Sequence, residues 1–236
     1  MRRLLVTRQP EDNEVLTKAL EAQGWQVISW PALVIKTATM EVSNYTDMDV
    51  DIVVFTSKNS VSAQLLKRLN IVNKTVICIG TTTAEKLFKR AGIKAATPAK
   101  TTTEGLLSSK LLEVSNKKIL IIKGKGGRKL LKDELRKRNN EVFTLDVYSR
   151  LDNTLTDREA EKINQLEPEY VLVTSVDGLY SLKKQIDEGK LTKKLLGKKL
   201  LSFSNRINEI AKKIGFEKVR TVNKMSNKGI VETLVK

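Results

Sequence analysis

The sequence predicts an α/β protein built from two similar parallel-sheet lobes, on three observations. Short β-rich apolar runs alternate with segments of helical period, the residues between them suit strand-to-helix turns, and the second half of the chain repeats the order of elements in the first. Strands are expected to begin at Leu4, Ile52, Val76, Ile119, Val142, Tyr170, Leu200 and Val219. Such runs alternating with helical segments are the sequence signature of parallel sheets with crossover helices. Between them, apolar positions recur at helical spacing: Val61, Leu65 and Leu69; Leu87 and Ala91; Leu131 and Leu135; Ile207, Ile210, Ala211 and Ile214. Gly24, Gly92 and Gly215 stand where helix C-caps are expected, while Thr101 with Glu104 and Thr156 with Glu159 have capping-box spacing.

The internal duplication is weak in identity but ordered. Val53-Val54-Phe55-Thr56-Ser57 is echoed by Val171-Leu172-Val173-Thr174-Ser175, and Val76-Ile77-Cys78-Ile79-Gly80 through Gly92 by Leu200-Leu201-Ser202-Phe203-Ser204 through Gly215. Leu4-Leu5-Val6-Thr7 followed by Gly24 and Val27 matches Leu120-Ile121-Ile122-Lys123 followed by Asn139 and Val142. Two extended stretches, Pro31 to Ile35 and Leu145 to Arg150, interrupt the alternation half a duplication apart.

Composition bounds the chemistry. A chain of 236 residues, 40% hydrophobic and 30% charged, suffices for one large domain or two small ones. Met1-Arg2-Arg3 leads into an apolar run too short for a signal peptide, and no stretch approaches a membrane span, so a cytoplasmic protein is expected. The single cysteine, Cys78, sits in an apolar run and reads as a buried structural thiol. With no histidine and no second thiol, no zinc site is expected, and the commonest acid or base near neutral pH is missing. The formal charge of +16 points to a polyanionic partner such as nucleic acid, phosphate or a polycarboxylate, although lysine pairs such as Lys183-Lys184 and Lys212-Lys213 are ordinary solvated surface.

In open parallel sheets, ligands bind beyond the carboxyl ends of the strands. That rule selects Thr7-Arg8, Thr56-Ser57-Lys58-Asn59, Gly80-Thr81-Thr82-Thr83, Lys123-Gly124-Lys125-Gly126-Gly127-Arg128, Thr174-Ser175 and Ser204-Asn205-Arg206. Each hydroxyl or amide there is also an ordinary helix cap, so the signal lies in the set. Lys123 to Arg128 meets neither GxxxxGK[ST] nor GxGxxG, which argues against ATPase and nicotinamide chemistry; its basic residues and exposed amides suit carboxylates.

At these turns the chain resembles the uroporphyrinogen-III synthase family over almost its whole length. The matching elements, in order, are Thr7-Arg8, Phe55 through Val61, Ile79 through Ala84, Thr103-Glu104-Gly105-Leu106-Leu107, Lys123-Gly124 with Gly127-Arg128, Val147-Tyr148-Ser149-Arg150 and Val173-Thr174-Ser175. The chain departs from the family's habit in placing Gln9 between Arg8 and Pro10. The resemblance implies two flavodoxin-like lobes joined by a two-stranded β-ladder with a cleft between them. Residues 1–36 with 150–236 would form one discontinuous lobe and 37–149 the other, with crossover strands near 31–36 and 145–150. It implies a lyase that cyclises hydroxymethylbilane to uroporphyrinogen III in haem biosynthesis, inverting ring D with loss of water. No metal or organic cofactor, nucleic acid or membrane is implied. A monomer that transiently meets hydroxymethylbilane synthase is expected.

The family-matched proton donor is Tyr148, a phenol that stays protonated at neutral pH. Implied substrate-binding positions are Thr7, Arg8, Thr56, Ser57, Lys58, Asn59, Gly80, Thr81, Thr83, Lys123, Gly124, Arg128, Thr174, Ser175, Ser204 and Arg206. The substrate's acetates and propionates make it a flexible polyanion that suits a basic protein, and holding it folded is the harder task than breaking its C–O bond. Two rivals stay open. One is a basic nucleic-acid-binding α/β protein, which the charge favours but the 5% aromatic content and lack of a recognition motif do not. The other is a two-lobed binding protein for a small anion.

Overall fold

The structure is a computed structural model that describes residues 1–38, 48–69, 71 and 73–235. The chain divides into two compact units, residues 1–34 with 151–236 and residues 35–150.

The first unit begins with β1 (Arg2–Val6), α1 (Glu14–Glu21) and β2 (Trp25–Ser29). It resumes after the inserted unit with α6 (Asp157–Leu166), β8 (Tyr170–Val173), α7 (Val176–Asp187), β9 (Lys199–Ser202), α8 (Asn205–Lys213), β10 (Lys218–Thr221) and α9 (Asn227–Val235). Its sheet runs β10-β9-β8-β1-β2, with every ladder parallel. Alternation along β1 sends Leu4 and Val6 into a core with Leu16, Leu20, Ile230 and Leu234 of α1 and α9. Leu5 faces the opposite core, with Ile163, Leu182 and Ile207 of α6, α7 and α8. Fully burying an aliphatic side chain of this kind contributes about 1.5–3 kcal/mol.

The second unit contains β4 (Ile52–Phe55), α2 (Ala63–Leu66), β5 (Thr75–Cys78), α3 (Thr81–Ala91), α4 (Thr103–Leu107), β6 (Lys118–Gly124) and α5 (Leu130–Lys137). Two further strands, β3 (Leu33–Thr37) and β7 (Glu141–Asp152), carry the chain from one unit to the other and are neighbours in the sheet order β3-β7-β6-β4-β5. All four residues of β4 are buried, because helices cover both faces of this sheet: α2 and α3 lie over Val53 and Phe55, and α4 and α5 over Ile52 and Val54.

The duplication is a matching strand order. β9-β8-β1-β2 in one sheet corresponds to β5-β4-β6-β7 in the other. Beyond β5, Ile77 bridges Ala96 in parallel, where β10 lies beyond β9. Punctuation follows too: Gly24, Gly92 and Gly215 all take positive φ, where a side chain would be strained. Thr156 and Glu159 form the expected capping box. Two expectations need correcting. The cap of α4 is Thr102, whose hydroxyl accepts from Gly105 N–H at 3.0 Å, and not Thr101. The helical pattern from Val61 to Leu69 yields only the single turn of α2, since Ser62 caps it and the chain leaves at Lys67; Val61 and Leu69 reach the same core from outside the helix.

Candidate functional site

Within the second unit, the carboxyl end of β6, the loop to α5 and the far part of β7 enclose a cavity of about 550 Å³. Six basic side chains (Lys123, Arg128, Lys129, Lys132, Arg136 and Arg150) and one acidic one, Asp133, contribute to its lining, so the interior favours an anionic ligand. Gly126 and Gly127, at φ of 76° and 79°, let the loop turn through left-handed backbone. Lys123 holds that turn in place. Its ammonium donates to the carbonyls of Gly124 at 3.0 Å and Gly126 at 2.8 Å and to Asp146 Oδ1 at 3.0 Å, which engages all three of its protons. Arg128 at the loop's end pairs with Glu104. The Glu104 carboxyl is held below the ordinary carboxylate range, first by its own backbone N–H and then by Arg128.

Tyr148 reaches the cavity through an irregularity in the sheet. The β6–β7 register shifts between Lys123 and Gly124, so Gly124 pairs with Tyr148, and Lys125 N–H donates to Tyr148 O at 2.7 Å. The ring lies against bare backbone: a Cβ on Gly124 would stand 2.5 Å from Tyr148 Cζ. The phenol is 1% exposed, yet it lines the cavity, and Arg150 Nη2 donates to its oxygen at 3.1 Å with the guanidinium 5.6 Å from the ring centroid. Thr56 lines the cavity as well. Its N–H and hydroxyl both donate to Ile122 O, at 3.1 and 3.2 Å, which fixes the end of β4 against β6.

Of the other expected positions in this unit, Ser57 caps the short turn of Lys58, Asn59 and Ser60, accepting from Asn59 N–H at 3.1 Å. Gly80 stands at the N-cap of α3, with Thr81 exposed and Thr83 buried in the first turn. A Cβ on Gly80 would meet Thr101 Cγ2 at 2.8 Å. These residues lie at the same sheet edge but outside the lining of the Tyr148 cavity. Arg136 and Lys132, one turn apart on α5, line it without having been singled out; Arg136 Nη2 also donates to Val142 O at 3.1 Å.

In the first unit, Thr7 repeats the Thr56 arrangement, its N–H and hydroxyl both donating to Leu172 O at 3.2 and 2.9 Å. Arg8 turns inward to Asn13 Oδ1, Asp12 O and Asn227 Oδ1, at 2.8, 2.6 and 2.7 Å. Burial lowers its pKa from the ordinary value, with Asp12 opposing the shift. Ser175 caps α7 through Gly178 N–H at 3.1 Å and Ser204 caps α8 through Ile207 N–H at 3.4 Å. Thr174 directly follows β8, and Arg206 lies in the first turn of α8.

A model of the family described as uroporphyrinogen-III synthase HemD matches residues 14–232. The chain belongs to the uroporphyrinogen-III synthase family. A uroporphyrinogen-III synthase of Salmonella typhimurium is 28% identical over 244 aligned positions, covering 98% of this chain and 99% of the relative. That of Escherichia coli is 30% identical over 162 positions, covering 66% of this chain and 65% of the relative. Among solved structures, the synthase of Helicobacter pylori superposes with a TM-score of 0.68 at 16% identity, covering 100% and 99% of the two chains. A mutant Thermus thermophilus uroporphyrinogen III synthase gives 0.61 at 14%, covering 99% and 97%. At such identities the superpositions speak for the two-lobed α/β fold.

The titratable side chains that line the cavity of this synthase-family protein are six cations, Asp133 and the phenol of Tyr148. Among the described residues, no group of three His, Cys, Asp or Glu side chains is arranged to hold a metal ion. Burial pushes the Cys78 thiol up to about 12, far from the thiolate a nucleophile needs. No helix among them is long and apolar enough to cross a membrane.

Proposed function

We propose that this synthase-family protein converts hydroxymethylbilane to uroporphyrinogen III, and that Tyr148 is the proton donor. The observation that carries the reading is a phenol set in a cavity lined by six cations. The substrate loses its terminal hydroxyl as the adjacent pyrrole nitrogen pushes electrons toward the C–O bond. Tyr148 gives its proton to the departing oxygen, which leaves as water. The conjugated cation that remains is attacked by the last pyrrole ring at the α-carbon that already carries its methylene bridge. That older bridge bond then breaks and the bridge carbon bonds instead to the ring's other α-carbon, which inverts the ring and returns a proton to the phenoxide as that carbon regains aromaticity. In sum a C–O and a C–C bond break, two C–C bonds form, and the enzyme ends as it began, a net cyclising lyase reaction without a metal or organic cofactor.

The cationic lining supports binding of the substrate's carboxylates. Lys129, Lys132, Arg136 and Arg128 are the partners we assign to the Tyr148 cavity, and Lys123 and Gly124 shape its loop. Ser57, Lys58, Asn59, Gly80, Thr81 and Thr83, with Arg8, Thr174, Ser175, Ser204 and Arg206, would serve through the backbone amides and side chains they hold at the carboxyl edges of the two sheets. Thr56 and Thr7, whose N–H and hydroxyl already donate to Ile122 O and Leu172 O, would shape those edges. We assign the protein to the cytoplasm as a monomer that receives its unstable substrate from hydroxymethylbilane synthase.

The test supplies freshly generated hydroxymethylbilane to the purified protein, oxidises the products and resolves type I from type III isomers by chromatography. Enzyme-dependent type III product is expected. Only type I product, as in a protein-free control, would overturn the reading and return the +16 charge to a nucleic-acid partner.

A further inference from the structure

Tyr148 presents an imbalance that its own chemistry does not resolve. A phenol offers one proton and accepts at its oxygen, whereas a guanidinium has donors only. Arg150 Nη2, 3.1 Å from the phenol oxygen, therefore fills the accepting side and leaves the phenol proton to find another acceptor. Among the described residues no hydrogen bond from Tyr148 Oη is made, although the side chain is 1% exposed. A buried donor without an acceptor is costly, and the one open direction is the cavity that both residues line. Arg150 stands two residues along β7, so the pair shares one side of the strand. The missing Cβ at Gly124 lets the ring lie where that guanidinium reaches it.

We propose that Arg150 is a positioning residue for the reaction: by donating to the phenol oxygen it turns the Tyr148 proton toward the cavity and stabilises the phenoxide formed when that proton leaves. The proposal rests on Tyr148 being the donor. It separates Arg150 from Arg128, Lys129, Lys132 and Arg136, which we assign to the carboxylates directly, because Arg150 acts through the phenol and so affects the chemical step more than binding.

The test measures kcat and KM for type III formation in Arg150→Met, Arg150→Lys, Tyr148→Phe and the Tyr148→Phe/Arg150→Met double variant. Removing a hydrogen bond from a charged group predicts a fall in kcat of about 10- to 100-fold in Arg150→Met with KM changed less than about threefold, partly restored in Arg150→Lys. The double variant should match Tyr148→Phe, since Arg150 has nothing to act through once the hydroxyl is gone. In the same Arg150→Met protein without substrate, the ¹³Cζ resonance of Tyr148, identified among the four tyrosines by its loss in Tyr148→Phe, should move. Wild-type kcat in Tyr148→Phe would sink the donor assignment itself. An impaired Tyr148→Phe with an additive double variant, a loss in Arg150→Met confined to KM, or an unmoved resonance would leave that assignment standing and overturn the role of Arg150.

Discussion

Replacing Gly124 with alanine drives Tyr148 from its place. A Cβ there would lie 2.5 Å from Cζ, 2.7 Å from Cε2 and 2.9 Å from the phenol oxygen, while carbon atoms rest at about 3.5–4.0 Å. The backbone at Gly124 does not have positive φ, so the conflict is steric and not conformational. The ring must retreat by about 1 Å, and it belongs to the same close-packed core as Val53, Phe55 and Val147. Overpacking of this kind costs about 1–3 kcal/mol, or a fall in Tm of roughly 2–12 °C for a protein of this size. A displacement of about 1 Å of a reacting group costs on the order of 100-fold in rate. Gly124→Ala should therefore remain folded, melt several degrees lower, and form type III product about two orders of magnitude more slowly at saturating substrate. Differential scanning calorimetry and initial rates measure the two effects. A folded Gly124→Ala protein with wild-type kcat would refute the link between this contact and catalysis.

Three further outcomes follow from features away from the cavity. Asn140 accepts from Lys117 N–H at 3.0 Å and donates to Val114 O and Leu135 O at 2.9 and 3.0 Å, so Asn140→Ala should lower stability in urea by about 1–3 kcal/mol while activity per folded molecule is kept; an unchanged midpoint would show that these groups find other partners. Hydrogen bonds from Thr156 hold the Glu159 carboxyl below its ordinary value, so the capping box stabilises the fold above the unfolded-state pKa of about 4.3 and loses this contribution as pH falls through the lower folded-state value. The Tm gap between wild type and Thr156→Ala should thus be widest near neutral pH and narrow under acid; a gap that widens below pH 4 would contradict the assignment. Cys78, fully buried and with its thiol pushed up to about 12, should resist a maleimide reagent at pH 8 in the native protein and take one equivalent after denaturation, whereas equal labelling rates in both states would show that β5 opens freely.

The sequence discloses the α/β alternation because strands buried on both faces must be short apolar runs, and the duplication because equivalent turns need equivalent caps. Boundaries are less visible. The apolar spacing from Val61 to Leu69 is that of a helix about two and a half turns long, yet only Ala63–Leu66 coils, because burial and not helix propensity sets that spacing. At the site, the resemblance draws attention to Tyr148 and the loop after β6, but charge alone does not say whether a cation is already engaged. Lys123 and Arg8 look like carboxylate partners in the sequence, whereas in the structure their donors are directed at the protein's own oxygens. Lys132 and Arg136 carry no mark that separates them from the rest of 43 basic residues, since only the path of α5 brings them to the cavity. The register shift beside Gly124 likewise arises from pairing between β6 and β7, which neither strand's sequence reveals.

The discontinuous sheet has a consequence for how the protein is made. β1 and β2 leave the ribosome first, but β1's other neighbour, β8, begins at Tyr170. At synthesis rates of about 5–20 residues per second, those two strands wait on the order of ten seconds or more with an apolar edge uncovered. A two-stranded fragment is not stable alone in water. The inserted unit, by contrast, is contiguous and has its strands in hand before β8 exists. Chaperones and proteases therefore meet this protein with its middle built and its beginning unfinished, and truncated products that stop short of residue 170 leave that beginning permanently exposed.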